Sequence, residues 1–396
     1  MSVEDIYLVI IQTLFLLLPI AAVGGWCAGR RALLGNTDKL SPTLRQDYFK
    51  GLNYLIHEQP DKTVDVFIKL LEVDTDTVET HLALGSLFRR RGEVDRAIRV
   101  HQNLIARPQL GKNHRFHALL ELGQDYLRAG VLDRAERLFL ELVEMSEENQ
   151  GSLRFLLHIY QQEKDWYKAI ETAQKLLSQG EPVHDIIAQY HCELAEQMID
   201  AGRTPQALHC LKQAQVIDHH CVRASLIRAR LETERGYYKE AIRCYKRVVE
   251  QNPDYISEVV LLMTECYRRI NEEDKLVVYL KDCLIRYPRI SLVLTISDYL
   301  QHQHGKKVAI EFIAQQIQRQ PSLRGLTHLV GLYLLNSTGD TRAKLLILQN
   351  FMKKLLVNKP VYRCSQCGFS GKMLYWLCPS CHHWNTVRPI QGLEGN

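Results

Sequence analysis

The sequence predicts an all-α protein in which a long array of helix pairs lies between an N-terminal membrane helix and a small four-cysteine metal domain. Three observations support this prediction: residues 6–26 carry no charge, residues 41–358 repeat a pattern of small residues about every 34 positions, and residues 359–396 contain two C-x-x-C motifs. We therefore expect an anchor at 1–30, a linker at 31–40, the array and the metal domain, in that order.

The N-terminal segment is long and apolar enough to cross a bilayer as a helix. The 21 uncharged residues from Ile6 to Trp26 would span about 31 Å, close to the hydrocarbon thickness of a membrane. Glu4 and Asp5 precede this segment, whereas Arg30 and Arg31 follow it. Because basic flanks stay on the cytoplasmic side, we expect the N-terminus outside and the bulk of the chain in the cytoplasm.

Two other interpretations of this segment are weaker. A cleaved signal peptide would begin with a basic region, and this segment begins with acidic residues. A lipoprotein-type cleavage before Cys27 would need a small residue just before the cysteine, whereas bulky Trp26 stands there. A retained single-pass anchor is the interpretation that fits both flanks.

The composition favours a reducing compartment and argues against nucleic acid as a partner. The net charge is only +5 over 396 residues, which is too weak to indicate the phosphate contacts of nucleic-acid binding. Eleven cysteines occur, seven of them scattered singly, and this suits an interior where thiols stay reduced. The cysteine usage therefore agrees with a cytoplasmic body and weakens a disulfide interpretation of the C-x-x-C motifs.

The middle of the chain repeats as pairs of helices. The first helix of each unit (helix A) carries a residue that is usually small, and a second residue, usually alanine, follows twelve positions later in the second helix (helix B). We call these two residues the markers of the repeat. Their small size lets the two backbones approach. An aromatic or long apolar residue usually follows the helix A marker by three positions, with Glu232 as the exception. The nine marker pairs are Gly51 with Thr63, Gly85 with Ala97, Gly123 with Ala135, Leu157 with Ala169, Ala195 with Ala207, Ala229 with Ala241, Thr264 with Leu276, Ser297 with Ala309 and Gly331 with Ala343.

This pattern resembles the tetratricopeptide repeat. Nine such pairs are expected to stack into a right-handed superhelix with a concave groove. Gly92, Gly130, Gly202 and Gly236 fall where a helix A turns into a helix B, a place where a helix ends easily. Arrays of this kind bind proteins or peptides and perform no chemistry, so we expect a protein that is not an enzyme.

Candidate sites inside the array are weak. Buried cysteines and solvent-facing histidines explain His191-Cys192, His209-Cys210 and His219-His220-Cys221 more simply than a second metal or a nucleophile does. The run Arg89-Arg90-Arg91 is interpreted as a solvated helix end, with contact to an acidic partner or to lipid headgroups as the alternative. Trp166 is expected to be a packing residue.

Four cysteines near the C-terminus predict a metal site. The pattern C-x2-C-x10-C-x2-C is formed by Cys364, Cys367, Cys378 and Cys381. Each C-x-x-C turn, called a knuckle here, supplies two sulfurs. Two facing knuckles give the tetrahedral four-sulfur site that Zn2+ prefers and that rubredoxin iron also uses. A domain of 38 residues is too small to fold by hydrophobic burial alone, which indicates a structural metal. We expect one metal ion, Zn2+ rather than Fe, surrounded by the neighbouring aromatic residues; disulfides or a redox C-x-x-C are the alternatives.

The order of anchor, array and four-cysteine tail resembles the lipopolysaccharide assembly protein B family of bacterial inner-membrane proteins. The most specific stretches are Tyr48-Phe49-Lys50-Gly51-Leu52-Asn53-Tyr54-Leu55 and the tail from Tyr362 to Cys381. In that family the tail is called rubredoxin-like, and its four cysteines match the four of this chain one for one. Only ten residues separate the two knuckles here, far fewer than in true rubredoxins, which favours a small structural zinc ribbon over electron transfer.

The resemblance implies a function that the residues alone do not give. Family members tune lipopolysaccharide synthesis by promoting degradation of the deacetylase LpxC by the membrane protease FtsH. By this resemblance the chain would be an inner-membrane adaptor with its N-terminus in the periplasm. A scaffold for lipopolysaccharide synthesis and transport enzymes, a redox protein and a nucleic-acid-binding zinc ribbon are the alternatives. Other lipopolysaccharide synthesis or regulatory membrane proteins are further expected partners, and homo-oligomerisation is left open.

Overall fold

The computed structural model describes residues 78–146, 149–357 and 359–392. Within these ranges the chain forms eight consecutive helix pairs, in which helices A and B alternate. The helices are α1 Val78–Arg90, α2 Val94–Ile105, α3 Lys112–Arg128, α4 Leu132–Met145, α5 Gln150–Glu163, α6 Trp166–Ser178, α7 His184–Asp200, α8 Thr204–Ile217, α9 Val222–Glu234, α10 Tyr238–Gln251, α11 Ile256–Arg269, α12 Glu273–Arg286, α13 Ile290–His304, α14 Lys306–Arg319, α15 Leu323–Leu334 and α16 Gly339–Val357, with a 3-10 turn at Pro253–Tyr255.

These pairs confirm eight of the nine predicted repeats. The first predicted repeat, with Gly51 and Thr63, lies outside the described residues, as do the expected anchor at 6–26 and the linker at 31–40. Of the helices that the structure describes, none is both long and apolar enough to cross a membrane. The predicted turn glycines at 92, 130, 202 and 236 all have positive φ, between +70° and +82°, which explains why glycine stands at these helix ends.

Two compact units divide the chain, residues 1–152 and 153–396. In the described part of the first unit, the helix A glycines let a large helix B side chain lie against the backbone. A methyl group on Gly85 would come within 2.3 Å of His101 Nε2, and one on Gly123 within 2.8 Å of Phe139 Cε1. Both opposing side chains are fully buried, so the small residues of the repeat pattern are required by close packing.

The first unit also corrects the interpretation of the first arginine of the basic run, whereas the two arginines that follow it are exposed as expected. Arg89 is mostly buried and forms ion pairs with Glu121 at 2.6 Å and with Asp125 at 2.7 Å. Asp125 is fully buried and also contacts His101 Nδ1 at 2.5 Å. Arg89 therefore links α1 to α3 inside the unit, and neither the solvated helix end nor a contact with an external partner describes its role.

In the second unit the marker residues of the repeats form the contacts between helices A and B. The alanines at 169, 195, 207, 229, 241 and 309 are all fully buried. Glu232, the exception in the pattern, is buried too, and its carboxylate pairs with Arg235 at 3.0 Å. A large apolar core runs from α9 to α15 around residues such as Tyr245, Met263 and Ile296.

The last repeat departs from the predicted register. Its helix B marker, Ala343, and Ile347 four residues later are both exposed. A methyl group on Gly331 would instead lie 3.0 Å from Gln349 Nε2. Met352 packs instead on Val330 and Leu334 of α15. The helix α16 therefore presents to α15 a different face from the one that the repeat spacing predicts.

Residues 359–392, called the ribbon below, form a small three-stranded sheet in the order β2-β1-β3. The strands are β1 Tyr362–Cys364, β2 Ser370–Gly371 and β3 Val387–Pro389. Both neighbours of β1 are antiparallel to it, with Arg363 opposite Ser370 and Arg388. The ribbon core is thin, with Tyr362 and Val387 packed beside the cysteine sulfurs, as expected of a domain that depends on a metal.

Candidate metal centre

Backbone hydrogen bonds hold the two cysteine knuckles. Cys364 ends β1, and the chain turns back at Gly368, whose φ of +77° is rarely adopted by other residues. The backbone N–H of Cys367 donates to Cys364 Sγ at 3.5 Å. In the second knuckle the backbone N–H of Cys378 donates to the carbonyl of His383 at 3.0 Å. The sequence therefore prepares each sulfur pair locally, as the C-x-x-C pattern predicts.

The four sulfur atoms are spaced for one tetrahedral ion. Cys364 Sγ lies 3.7 Å from Cys381 Sγ, and Cys367 Sγ lies 3.7 Å from Cys378 Sγ. All four sulfurs lie within 4.8 Å of one another. Metal–sulfur bonds of about 2.3 Å in a tetrahedron require sulfur separations of about 3.8 Å. In the part of the chain that the structure describes, no other group of three or more His, Cys, Asp or Glu brings its ligand atoms this close.

The electrostatics of the thiols also fit a bound cation. Burial opposes ionisation of Cys364, but hydrogen bonds with the Thr386 hydroxyl and the backbone amides of Cys367 and Gln366 outweigh it and lower the pKa of this thiol to about 6. Burial and the neighbouring sulfurs raise the pKa of Cys381 to about 12. Four thiolates at these distances repel one another, and a divalent ion removes that repulsion.

The donor set defines what the site can do. Four cysteine ligands complete a tetrahedral shell and leave no position for water or a substrate, so the geometry suits a structural ion. Zn2+ and iron bind four thiolates in the same arrangement, and the sulfur positions suit both. The metal, when bound, would tie β1 to the second knuckle and supply the folding energy that the thin ribbon core lacks.

The ribbon lies on the helix A side of the second unit, which we call the A face: the surface formed by α5, α7, α9, α11 and α13. Trp384 is the main contact at one end. Its Nε1–H donates to Gln161 Oε1 at 3.1 Å. Its ring meets Trp166 and Tyr190 edge-on, with centroids 6.4 Å and 5.9 Å away. These geometries are the preferred arrangement of aromatic pairs.

Arg223 of α9 lies beneath the centre of the ribbon. Its guanidinium carbon is 5.9 Å from the ring centroids of both Trp376 and Trp384. The same guanidinium pairs with Glu193 at 2.8 Å and with Glu196 at 2.6 Å, and the Arg223 side chain is only 4% exposed. The two carboxylates fix the cation, so that its charge faces the electron-rich faces of two ribbon tryptophans.

Tyrosines hold the other end of the ribbon. Tyr255 stacks on Trp376 with centroids 5.6 Å apart, and its hydroxyl donates to the carbonyl of Val387 at 3.4 Å. Tyr362 of β1 donates to Glu258 Oε1 of α11 at 2.9 Å. Burial raises the pKa of Tyr255 to about 12. Both hydroxyl groups therefore serve as neutral donors in this contact.

Asp254 completes the contact. Its Oδ1 accepts hydrogen bonds from Arg289 at 2.9 Å and from the Gln391 side chain at 2.5 Å, and Gln391 Oε1 accepts from Arg289 at 2.5 Å. The ribbon thus contacts residues from Gln161 to Arg289, over five successive helices A or the turns that precede them.

The structure refines the predicted role of the aromatic residues. Phe369 packs in the ribbon core, as expected. Trp376 and Trp384 instead pack on the array, and the predicted packing residue Trp166 meets one of them. Neither Arg223 nor Tyr255 was predicted from the sequence to contact the ribbon. Arg223 has the pattern of an ordinary helix residue, and Tyr255 belongs to a Pro-Asp-Tyr turn. A conspicuous excess of large aromatics in so small a tail was the one signal of a docked surface.

The histidine and cysteine groups of the array form no comparable site. Cys192 and Cys221 are buried with their sulfurs 3.8 Å apart, as expected of apolar filling residues. His209 is exposed as expected, but His191 is half-buried, and both border a cavity of about 570 Å3 between α6, α7 and α8. Burial, with the nearby His209 charge, lowers the pKa of His191. The second metal or nucleophile finds no support in this geometry.

Fold and site together define a tetratricopeptide-repeat protein that carries a closed four-sulfur metal ribbon on its array. Residues 80–112 and 193–256 match families described as tetratricopeptide repeat, and residues 362–389 match the family described as rubredoxin metal binding domain. The chain is similar to Lipopolysaccharide assembly protein B of Escherichia coli (strain K12), with 38% identity over 388 residues, 97% of this chain and 100% of that protein.

A second relative extends this result. The protein of the same name from Haemophilus influenzae is 35% identical over 402 residues, 98% of this chain and 100% of its own length. The chain belongs to the lipopolysaccharide assembly protein B family. Among solved structures, one of a MamA RS-1 ArsTM double mutant matches 45% of this chain and 96% of its own, at 15% identity and a TM-score of 0.35.

Proposed function

We propose that this chain is an adaptor in lipopolysaccharide assembly, anchored in the bacterial inner membrane by residues 6–26 and facing the cytoplasm. In this proposal it promotes degradation of the deacetylase LpxC by the membrane protease FtsH. The observation that carries the proposal is membership, over nearly the full length, of a family whose members are named for lipopolysaccharide assembly. The described part of the repeat array and the closed metal site support a binding role.

The docked ribbon bears on how such an adaptor would hold a client. It covers part of the A face from α5 to α11, so the ribbon and the array share this surface. A client would therefore meet a composite surface of ribbon and array, on which Met373 and Tyr375 of the ribbon are exposed. A metal bound by the four cysteines would keep this surface rigid, which lowers the entropic cost of binding.

A neighbouring groove is our candidate for the client contact. A cavity of about 460 Å3 opens between α11, α12 and α13, and it is lined by Leu261, Arg268, Asp298 and His302 among others. Leu261 is largely exposed there. An apolar floor with a few polar and charged groups at its rim is the usual composition of a specific binding site.

The experiment that tests the function is the half-life of LpxC in cells after protein synthesis is blocked, with and without this chain. Depletion should lengthen the half-life only while FtsH is active. An unchanged half-life would exclude the adaptor role. Co-purification of several pathway enzymes with this chain would then favour a scaffold for lipopolysaccharide synthesis and transport.

Matched variants test the proposed client groove. Leu261→Asp should slow LpxC turnover, because a bound client would bury the new charge against apolar surface. Val278→Asp, at an exposed position on α12, is the control and should leave turnover unchanged. Equal effects of the two substitutions would show that this groove is not the contact.

The proposed ion is zinc, which would give a colourless protein. Metal analysis of purified protein checks this, since an iron-loaded preparation would be red. A red preparation with a reversible potential would bring the redox alternative forward.

A further inference from the structure

The last helix of the array exposes an apolar face. Ile347 is 70% exposed, Phe351 is 61% exposed, and Leu355 is also exposed. These residues follow one another at steps of four, so they lie on one side of α16. Leu348 extends the same side. The face is a continuous apolar stripe on a helix of 19 residues.

The packing of α16 accounts for this exposure. Met352 is buried against Val330 and Leu334 of α15, with Leu345 beside it. At 100° per residue, Phe351 and Ile347 lie about 100–140° around the helix from Met352 and point away from the array, with Leu348 and Leu355 at the near edge of the stripe. A terminal repeat normally presents a polar outer face, because the stack ends there and meets water. In the part of the chain that the structure describes, no further helix follows α16.

Basic residues accompany the stripe. Arg342, Lys344, Lys353 and Lys354 are all exposed on α16. The helix contains a single acidic residue, Asp340, whose carboxylate pairs with Lys344 at 2.6 Å. An apolar stripe among basic residues is the pattern of helices that lie in the surface of an anionic membrane.

A second copy of the chain fits this face less well. In a two-fold symmetric contact the same surface meets itself, which would bring the net positive charge of one helix toward that of the other. An anionic bilayer satisfies both features, since lipid phosphates meet the basic side chains and the acyl boundary receives the apolar ones. The charge of the helix therefore favours lipid as the partner.

We propose that the stripe face of α16, formed by Ile347, Leu348, Phe351 and Leu355, lies in the headgroup region of an anionic phospholipid membrane. Lys354, which borders the stripe, contacts lipid phosphates, while Arg342 and Lys353 on the other side of the helix add to its attraction to the anionic surface. This is a second membrane contact, separate from the proposed anchor at residues 6–26. It would hold the C-terminal end of the array at the membrane and restrict the orientation of the second unit.

The test is photo-crosslinking of the full chain reconstituted in vesicles. Benzoyl-phenylalanine replaces Phe351 in one variant and Val278, which is 71% exposed on α12, in the control. Irradiation in vesicles of phosphatidylglycerol and phosphatidylcholine should give lipid adducts at position 351, and few at position 278. In phosphatidylcholine alone the adducts at 351 should become rare. Because both variants carry the same N-terminal segment, the comparison reports on α16 alone.

A charge-matched pair of variants tests the electrostatic part. Lys353→Glu with Lys354→Glu should reduce the lipid adducts at position 351 at least tenfold, since each basic residue near an anionic surface changes binding roughly fivefold. Lys306→Glu with Lys307→Glu changes the net charge equally at exposed positions of α14 and should leave the adducts unchanged. Adducts to a second copy or to another protein in place of lipid, equal adducts at positions 351 and 278, or equal losses in the two charge variants would overturn the proposal.

Discussion

Replacing Arg223 by methionine tests whether this one residue holds the ribbon on the array. The substitution keeps a long unbranched side chain and removes the charge. It removes the ion pairs with Glu193 and Glu196, both of α7, and the cation beneath Trp376 and Trp384. The array and the docked ribbon should therefore both be weakened, by different amounts.

The two costs follow from the geometry. Breaking a buried ion pair costs about 3–5 kcal/mol, and the lower end applies because Glu193 and Glu196 stay partly exposed. We therefore expect about 3 kcal/mol less array stability. Each cation–ring contact contributes about 0.5–1 kcal/mol at a distance near 6 Å, so the docked ribbon should lose about 1.5 kcal/mol, or roughly tenfold in its docking equilibrium.

The control is Arg230→Met on the same helix. Arg230 is 56% exposed and reaches Glu196 at 3.5 Å, and an exposed pair of this kind contributes about 0–1 kcal/mol. The array is followed by thermal unfolding. Docking is followed by the rate at which a nonspecific protease cuts between the array and the ribbon, which tracks the open population. Metal content is measured alongside and should stay unchanged.

Identical behaviour of the two variants would exclude this role of Arg223. An Arg223→Met variant with a lower thermal midpoint but an unchanged cleavage rate would exclude it as well. That second outcome would show that the aromatic contacts and Asp254 hold the ribbon without help from the arginine.

Three further predictions concern the metal, the repeat packing and the docked tyrosine. Cys378→Ser should remove the metal, unfold the ribbon and abolish LpxC regulation. Metal analysis and an LpxC turnover assay check this. A metal-free variant that still regulates LpxC would show that the ribbon is dispensable. Gly123→Ala should destabilise the array by about 1–3 kcal/mol, because the new methyl group lies 2.8 Å from Phe139. The control Gly151→Ala, whose new methyl group has its nearest neighbour at 3.4 Å, should be neutral or stabilising. Equal thermal midpoints for the two variants would contradict the packing argument. Since burial raises the pKa of Tyr255 from 10 to about 12, its contribution to docking is complete below pH 10 and is lost as pH rises toward 12. Proteolysis between array and ribbon should accelerate over that range and less so in Tyr255→Phe, and an identical pH profile for the two proteins would exclude this role of the tyrosine.

The parts of the structure that were predictable are those encoded over short distances. A marker and its partner twelve residues later lie in adjacent helices, so the sequence pattern reports directly on their contact. The four cysteines are equally local, because each knuckle spans four residues and the spacing sets the sulfur positions. The ribbon core and the helix pairs from Val78 onward follow these expectations, except for the face that α16 presents to α15.

Contacts between distant segments were not predictable from the pattern. Arg89 looked like a solvated helix end because its partners, Glu121 and Asp125, come from the next repeat. The face of α16 was assigned wrongly because Ala343 fits the repeat spacing, whereas Met352 is the residue that packs on α15. Neither error shows in composition, since the residue types suit both arrangements.

The sequence by itself determined the helix-pair array and the four-sulfur ligand set, because both arise from periodic or adjacent residues whose geometry the backbone dictates. Only the tertiary structure decided where the ribbon lies. Trp384 meets Gln161 across 223 positions of the chain, and Tyr255 meets Trp376 across a turn and six helices. Such contacts depend on the curvature of the stacked repeats and on complementary surfaces, which form only after the helices have packed.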